Sequence, residues 1–313
     1  KSGSKLVWDK GTKISTDPTS NLSPYEKTKL KAYNAIRNEA NAGNLNNVDL
    51  KYFVGSEFPK DLRTTYTQQV EYASKLYGSF FSKKEIMNIF MYTEKDTEKI
   101  KSDPLLSNDY QNLDNWFKRW DQGIDRQHNL GLAASYIQRN DNWQGFAGLV
   151  VYSGSTGKSL RAYAIQVMPH EYWHVVQDYY IQKARGTLFS DSKSYDTRFP
   201  VNFREGSANT ISFAIACNNF EDYLALYKTF IAEKNAQTEI RIFKTLKTQS
   251  AVVQALKQTE FREGNPEGFE AAYSIGQLLF EWVIAEYGFA GYRKIIQNQL
   301  EGSSFNDNLV KSI

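Results

Sequence analysis

The chain has 313 residues, of which 41% are hydrophobic and 23% are charged, a balance that is ordinary for a globular protein and excludes wholesale disorder. The 38 basic and 35 acidic residues leave a formal net charge of +3, and since no run of Lys or Arg stands out, we expect no nucleic-acid partner. The longest apolar stretch, residues 275–285, contains Gln277 and Glu281, so it is too short and too polar to span a bilayer.

Local signals in the first half of the chain predict alternating helices and strands. Ser23-Pro24-Tyr25-Glu26 is a capping box with Pro at the first helical position, so a helix should begin there and end near Gly43. A strand, a helix and two further strands are predicted over residues 48–54, 59–77, 85–92 and 145–152. The polar stretch before the last strand predicts a helix over 113–120 and a surface position for His128.

Two of the three histidines in the chain lie four residues apart, in His170-Glu171-Tyr172-Trp173-His174. Because positions i and i+4 share one face of a helix, both imidazoles can converge on a single point. This spacing suits two ligands of a tetrahedral Zn²⁺, with Glu171 as general base towards a metal-bound water. The alternative is that His170 and His174 are ordinary half-buried helix residues. Pro169 implies that the helix either begins near it or is kinked there.

A second motif, Glu205-Gly206-Ser207-Ala208, begins 31 residues after His174. His-Glu-x-x-His followed by Glu-Gly-x-Ala resembles the gluzincin metallopeptidases, which include thermolysin-like and aminopeptidase-N-like enzymes, and most of all their peptidase MA-like branch. The resemblance implies that Glu205 is the third zinc ligand and that the protein is a zinc-dependent peptidase. In isolation, Glu205 would be interpreted as an exposed helix carboxylate.

The order of predicted elements agrees with the α+β, two-lobed fold that the resemblance implies. The expected upper lobe, residues 1–184, has a mixed sheet and the zinc-motif helix. The expected lower lobe, residues 185–313, is mostly helical and carries the third ligand. Enzymes of this clan bind an extended peptide at the edge of the sheet. Residues 145–152, with Gly145 and Gly148, are a candidate for that edge strand, and an internal core strand is the alternative.

Three further residues have two interpretations each. By the resemblance, the Tyr273 hydroxyl donates a hydrogen bond to the oxyanion. The alternative is that Tyr273 is a buried tyrosine that packs the lower lobe. Asn209 lies one helical turn after Glu205, so it is a possible hydrogen-bond partner of a ligand or a residue of the helix surface. Cys217, the only cysteine, ends an apolar run and is interpreted as a core residue rather than a zinc thiolate.

Two other functions fit the same motifs. One is a binding or scaffold protein that keeps the zincin fold with little turnover, and the other is a zinc hydrolase that acts on a non-peptide amide or acyl group. We expect a peptide or protein substrate and favour an endopeptidase, since no amine-anchoring Gly-x-Met-Glu-Asn motif of aminopeptidases occurs before the zinc motif. The oligomeric state stays open. Lys1-Ser2-Gly3-Ser4 is typical of a processed start, and we expect a secreted, periplasmic or cell-surface protein.

Overall fold

The computed structural model describes residues 21–103, 118, 130–139, 142–155, 162–185, 200–237, 247–257 and 266–300. These residues form a mixed α and β fold that is mostly helical. Its strands are β1 (Val48–Val54), β2 (Glu85–Thr93), β3 (Leu130–Arg139) and β4 (Asn142–Val151). Its helices are α1 (Pro24–Ala42), α2 (Lys60–Tyr77), α3 (Thr97–Ser102), α4 (Val167–Arg185), α5 (Val201–Ala216), α6 (Phe220–Gln237), α7 (Gln249–Lys257) and α8 (Pro266–Leu300). Across the described ranges, no helix combines the length and the apolar character that a membrane crossing requires.

The first elements form where the sequence predicts them. The capping box of α1 is present, since Ser23 Oγ accepts from Glu26 N at 3.2 Å and Glu26 Oε2 accepts from Ser23 N at 3.0 Å. The predicted strands at 48–54 and 85–92 are confirmed as β1 and β2, and α2 begins one residue after its predicted start. The predicted helix over 113–120 and the position of His128 lie outside the residues that the structure describes, apart from residue 118.

The four strands form one mixed sheet in the order β1-β2-β4-β3. β1, β2 and β4 run parallel, and β3 pairs antiparallel with β4. The interpretation of residues 145–152 as an edge strand is therefore wrong, because β4 lies between β2 and β3. The strand β3 itself was not predicted. Its first half, Leu130-Gly131-Leu132-Ala133-Ala134, is rich in small residues that are depleted in strands.

The glycines of β4 make room for the protein's own atoms. A Cβ at Gly145 would lie 2.6 Å from the Met87 sulfur and would also overlap a methyl group of Val175, which belongs to α4. A Cβ at Gly148 would lie 2.8 Å from Phe90 Cβ. These small residues let α4 and β2 pack closely against β4, and they do not provide a path for a peptide.

The helix α4 lies between the sheet and α5, and its buried face fixes it to both. It begins at Val167, so Pro169 lies in the first turn, where a helix needs no backbone donor. The interpretation that the helix begins near Pro169 is thus confirmed. Trp173 is fully buried against Tyr77, with ring centroids 5.1 Å apart. Its indole Nε1 donates to Ser207 Oγ of α5 at 3.0 Å.

A buried ion pair joins α1 to α8. Lys29 and Glu281 are paired with side chains 1% exposed each, and the Tyr223 hydroxyl and the Gln277 amide both donate to Glu281. Lys29 also lies over the Tyr227 ring, 3.4 Å from its centroid. Burial lowers the pKa of Lys29, and the Glu281 carboxylate opposes that shift. The extra donors and the aromatic face compensate for the desolvation of two charges.

The helices α5 and α8 cross where two glycines meet. A Cβ at Gly276 would lie 2.8 Å from Gly206 Cα and 2.9 Å from the carbonyl carbon of Asn202. Both are backbone atoms, so an added methyl group must push the helices apart. We expect Gly276→Ala to lower the free energy of unfolding by about 1–3 kcal/mol, measured by chemical denaturation. Alanine has a higher helix propensity than glycine by about 1 kcal/mol. The cost of the steric overlap should exceed this gain.

Ala285→Gly is the control for this variant, since Ala285 is partly exposed in the same helical segment of α8, before the helix is broken at Gly288, and its replacement isolates the propensity effect. If Gly276→Ala were as stable as the wild-type protein, the two helices would not pack at the described distance.

Candidate metal centre

Two helices bring three ligand atoms together. The imidazoles of His170 and His174 project from one face of α4, with their Nε2 atoms 3.2 Å apart. Glu205, in the second turn of α5, places its Oε2 3.2 Å from His170 Nε2 and 3.4 Å from His174 Nε2. His170 and Glu205 are 6% and 5% exposed. The interpretation of Glu205 as an exposed helix carboxylate is therefore wrong, and the three side chains form one cluster in which His174 is partly exposed.

The dimensions of this triangle fit a zinc ion. Tetrahedral coordination with bonds of about 2.0–2.1 Å separates neighbouring ligand atoms by about 3.3–3.4 Å. The three observed separations are 3.2, 3.2 and 3.4 Å, so the atoms lie close to three corners of such a tetrahedron. Two imidazoles and one carboxylate are also a ligand set of catalytic zinc, in which the fourth position takes water or substrate.

The carboxylate of the cluster is held in its ionised form, as a metal ligand must be. Burial raises the pKa of Glu205, but the two imidazoles and Arg204 outweigh it and hold that pKa well below its usual range. Burial lowers the pKa of His174, but the carboxylates of Glu205 and Glu171 reverse the shift and raise it to about 9. A metal ion and a proton would therefore compete for the Nε2 atom of His174, whereas Glu205 is already ionised.

A glutamine orients the second histidine. The Gln177 amide oxygen accepts a hydrogen bond from His174 Nδ1 at 2.8 Å. In the neutral ring with its hydrogen on Nδ1, the Nε2 lone pair faces the centre of the triangle. The amide nitrogen of Gln177 donates to the Arg204 carbonyl at 3.0 Å and to Ser207 Oγ at 2.9 Å. This fully buried side chain therefore ties the histidine of α4 to the backbone of α5.

An arginine holds the other oxygen of the carboxylate ligand. Arg204 Nε donates to Glu205 Oε1 at 2.8 Å. The two oxygens of Glu205 thus have different partners, because Oε2 faces the two imidazoles and Oε1 faces the guanidinium.

The structure places Glu171 and Tyr273 beside the triangle. Glu171 follows His170 on α4 and is partly buried. The Tyr273 ring is stacked on the His170 ring, with centroids 6.1 Å apart and planes inclined by 15°. Burial raises the pKa of Tyr273, and a hydrogen bond to Glu205 raises it further. Tyr273 therefore lies at the cluster, whichever role its hydroxyl has.

Asn209 and Cys217 differ in their relation to the cluster. Asn209 is 1% exposed, so its interpretation as a helix-surface residue is wrong. Within the described residues, neither its amide atoms nor His170 Nδ1 has a hydrogen-bond partner. Cys217 is 5% exposed and lies just beyond α5, outside the group of described side chains that could hold a metal. Its interpretation as a core residue is confirmed, and burial raises the pKa of its thiol to about 12.

Sequence reasoning missed the roles of two residues in this cluster, Gln177 and Arg204. Gln177 follows His174 by three positions, so its place on the same helix face was a usable signal. Arg204 gave no such signal, because neighbouring residues of a helix point in different directions.

No family model matches the chain, and neither a curated protein nor a solved structure does. The likeness to gluzincins rests on the two motifs alone, and the geometry of the cluster is compatible with a metal site.

Proposed function

We propose that this protein is a zinc-dependent peptidase with a two-lobed, zincin-like fold. The observation that carries the proposal is the triangle of His170 Nε2, His174 Nε2 and Glu205 Oε2, whose sides match the edges of a zinc tetrahedron. The neighbouring Glu171 supports it, since a carboxylate beside a metal-bound water is the base that hydrolysis requires. Among the described residues three side chains meet at this point, whereas a structural zinc site would have four protein ligands.

In the proposed reaction, His170, His174 and Glu205 hold the metal. When bound, zinc lowers the pKa of a water molecule to about 7 and polarises the scissile carbonyl. Glu171 accepts the proton of the attacking water and then delivers it to the leaving amine. The Tyr273 hydroxyl donates a hydrogen bond to the carbonyl oxygen as negative charge develops there.

The sheet offers a second argument for a peptide substrate. β3 forms one edge of the described sheet and also packs against α4, the helix with the two histidines. An extended peptide that adds to this edge would be held by main-chain hydrogen bonds. Such a peptide would run beside the helix that carries the metal ligands. We propose an endopeptidase, in keeping with the missing Gly-x-Met-Glu-Asn motif.

The direct test is metal analysis of the purified protein, combined with digestion of a peptide library. We expect one zinc per chain in the wild-type protein and loss of most of it in Glu205→Ala. Glu221→Ala removes an exposed carboxylate of α6 and should keep its zinc, so it serves as the control.

The possible results separate the candidate functions. Stoichiometric zinc in Glu205→Ala removes Glu205 from the ligand set. Bound zinc without any peptide cleavage favours a binding or scaffold protein. Hydrolysis restricted to non-peptide amides or acyl groups makes the protein a different zinc hydrolase.

A further inference from the structure

The contact between Arg204 and Glu205 is unusual for neighbours in a helix. Side chains at i and i+1 diverge by about 100° around the axis and do not normally meet. Here the Arg204 side chain turns back, so that its Nε lies 2.8 Å from Glu205 Oε1. Arg204 is only 9% exposed, and a buried guanidinium beside a carboxylate forms a strong, directional hydrogen bond.

The backbone of Arg204 is fixed by the same network that orients His174. The Arg204 carbonyl accepts from Gln177 Nε2 at 3.0 Å and from Ser207 Oγ at 3.2 Å. Gln177 also accepts from His174 Nδ1 at 2.8 Å. Arg204 therefore contacts both parts of the site: its backbone carbonyl binds Gln177, which binds His174, and its side chain binds Glu205.

We propose that Arg204 is a positioning residue that keeps Glu205 a one-oxygen ligand. This inference rests on the proposed zinc site. A carboxylate can bind a metal through one oxygen or two. If both oxygens turned to the metal, Oε1 would leave the guanidinium and the buried charge-assisted bond would be lost. With Oε1 bound to Arg204, only Oε2 is available to the metal. The remaining coordination position then stays open for water or substrate.

The test compares Arg204→Gln and Arg204→Lys with Arg37→Gln as the matched control. Arg37 also contacts α5, through the Ala214 and Ile215 carbonyls at its far end, so its loss reports general damage to that helix. Zinc affinity is measured by competition with a chelator. The coordination number is read from the visible spectrum of the cobalt-substituted protein, because geometry sets the absorption of the metal.

We expect Arg204→Gln to weaken zinc binding by about 10–100-fold, the usual effect of losing a residue that orients a ligand. Its cobalt spectrum should change from four-coordinate towards a higher coordination number as Glu205 becomes bidentate. Lysine keeps the charge but lacks the planar guanidinium, so Arg204→Lys should fall between Arg204→Gln and the wild-type protein. Arg37→Gln should match the wild-type protein in both measurements.

Failure of this inference is distinct from failure of the zinc site. If the wild-type protein binds no zinc, the proposed function falls. If the wild-type protein binds zinc, Glu205→Ala loses it, and Arg204→Gln keeps wild-type affinity and spectrum, only the role of Arg204 is overturned. Should Arg204→Gln fail to fold, Arg204→Lys decides: intermediate affinity with an altered spectrum supports the proposal, and wild-type values overturn it.

Discussion

Glu171→Gln should abolish peptide hydrolysis and leave the zinc content unchanged. Glutamine has nearly the volume of glutamate, but its amide cannot accept the proton of the attacking water. Positioned general bases contribute about 10²–10⁴-fold to a rate, so kcat should fall by at least that factor. Glu171 is outside the triangle of ligand atoms formed by His170, His174 and Glu205, and metal analysis should therefore find one zinc per chain. The kcat is measured on a peptide that the library digest identifies.

Two controls make this result specific. Glu221→Gln changes an exposed carboxylate of α6 and should leave kcat and zinc content at wild-type values. The melting temperature of Glu171→Gln should also match that of the wild-type protein. Activity within tenfold of wild type would show that another group acts as the base, or that the activity comes from a contaminant. Loss of zinc would instead assign Glu171 to metal binding.

The elements that the sequence predicts well are those with local causes. The capping box at Ser23 and Glu26 fixes the start of α1, because both of its hydrogen bonds join residues three apart. The histidine pair is equally local, since helix geometry alone brings positions 170 and 174 to one face. The placement of β4 inside the sheet had no local cause, because it depends on pairing with β2 and with β3.

The same distinction explains what was missed in the site. Glu205 could be expected only through the resemblance, since its distance from the histidines depends on how α4 and α5 pack. The contacts of Gln177 and Arg204 depend on that packing as well. Gly145 shows the opposite error: its small size suggested room for a peptide, but α4 occupies that room with Val175. Local sequence indicates which residues are small and does not indicate what fills the space.

Tyr273→Phe should lower kcat by about 10²–10³-fold with little change in KM, because an oxyanion donor acts mainly in the transition state. That effect equals roughly 2.7–4 kcal/mol of barrier. Phenylalanine keeps the ring that stacks on His170 and loses only the hydroxyl, whose pKa the Glu205 carboxylate raises. The loss of one hydrogen bond costs about 1 kcal/mol of stability, so the catalytic effect should exceed the structural one. Zinc content should stay at the wild-type value.

Tyr292→Phe is the matched control for this variant. Tyr292 is a buried tyrosine of α8 beyond the break at Gly288, and its hydroxyl donates to the Ser207 carbonyl of α5 at 3.3 Å, not to one of the three ligand side chains. Its replacement should therefore lower the melting temperature by an amount similar to that of Tyr273→Phe, while the kcat of the folded protein stays unchanged. If the two variants instead behave alike in kcat, the Tyr273 hydroxyl acts only in packing. The donor to the developing oxyanion must then be another group that reaches the fourth coordination position, which the three ligand atoms leave open.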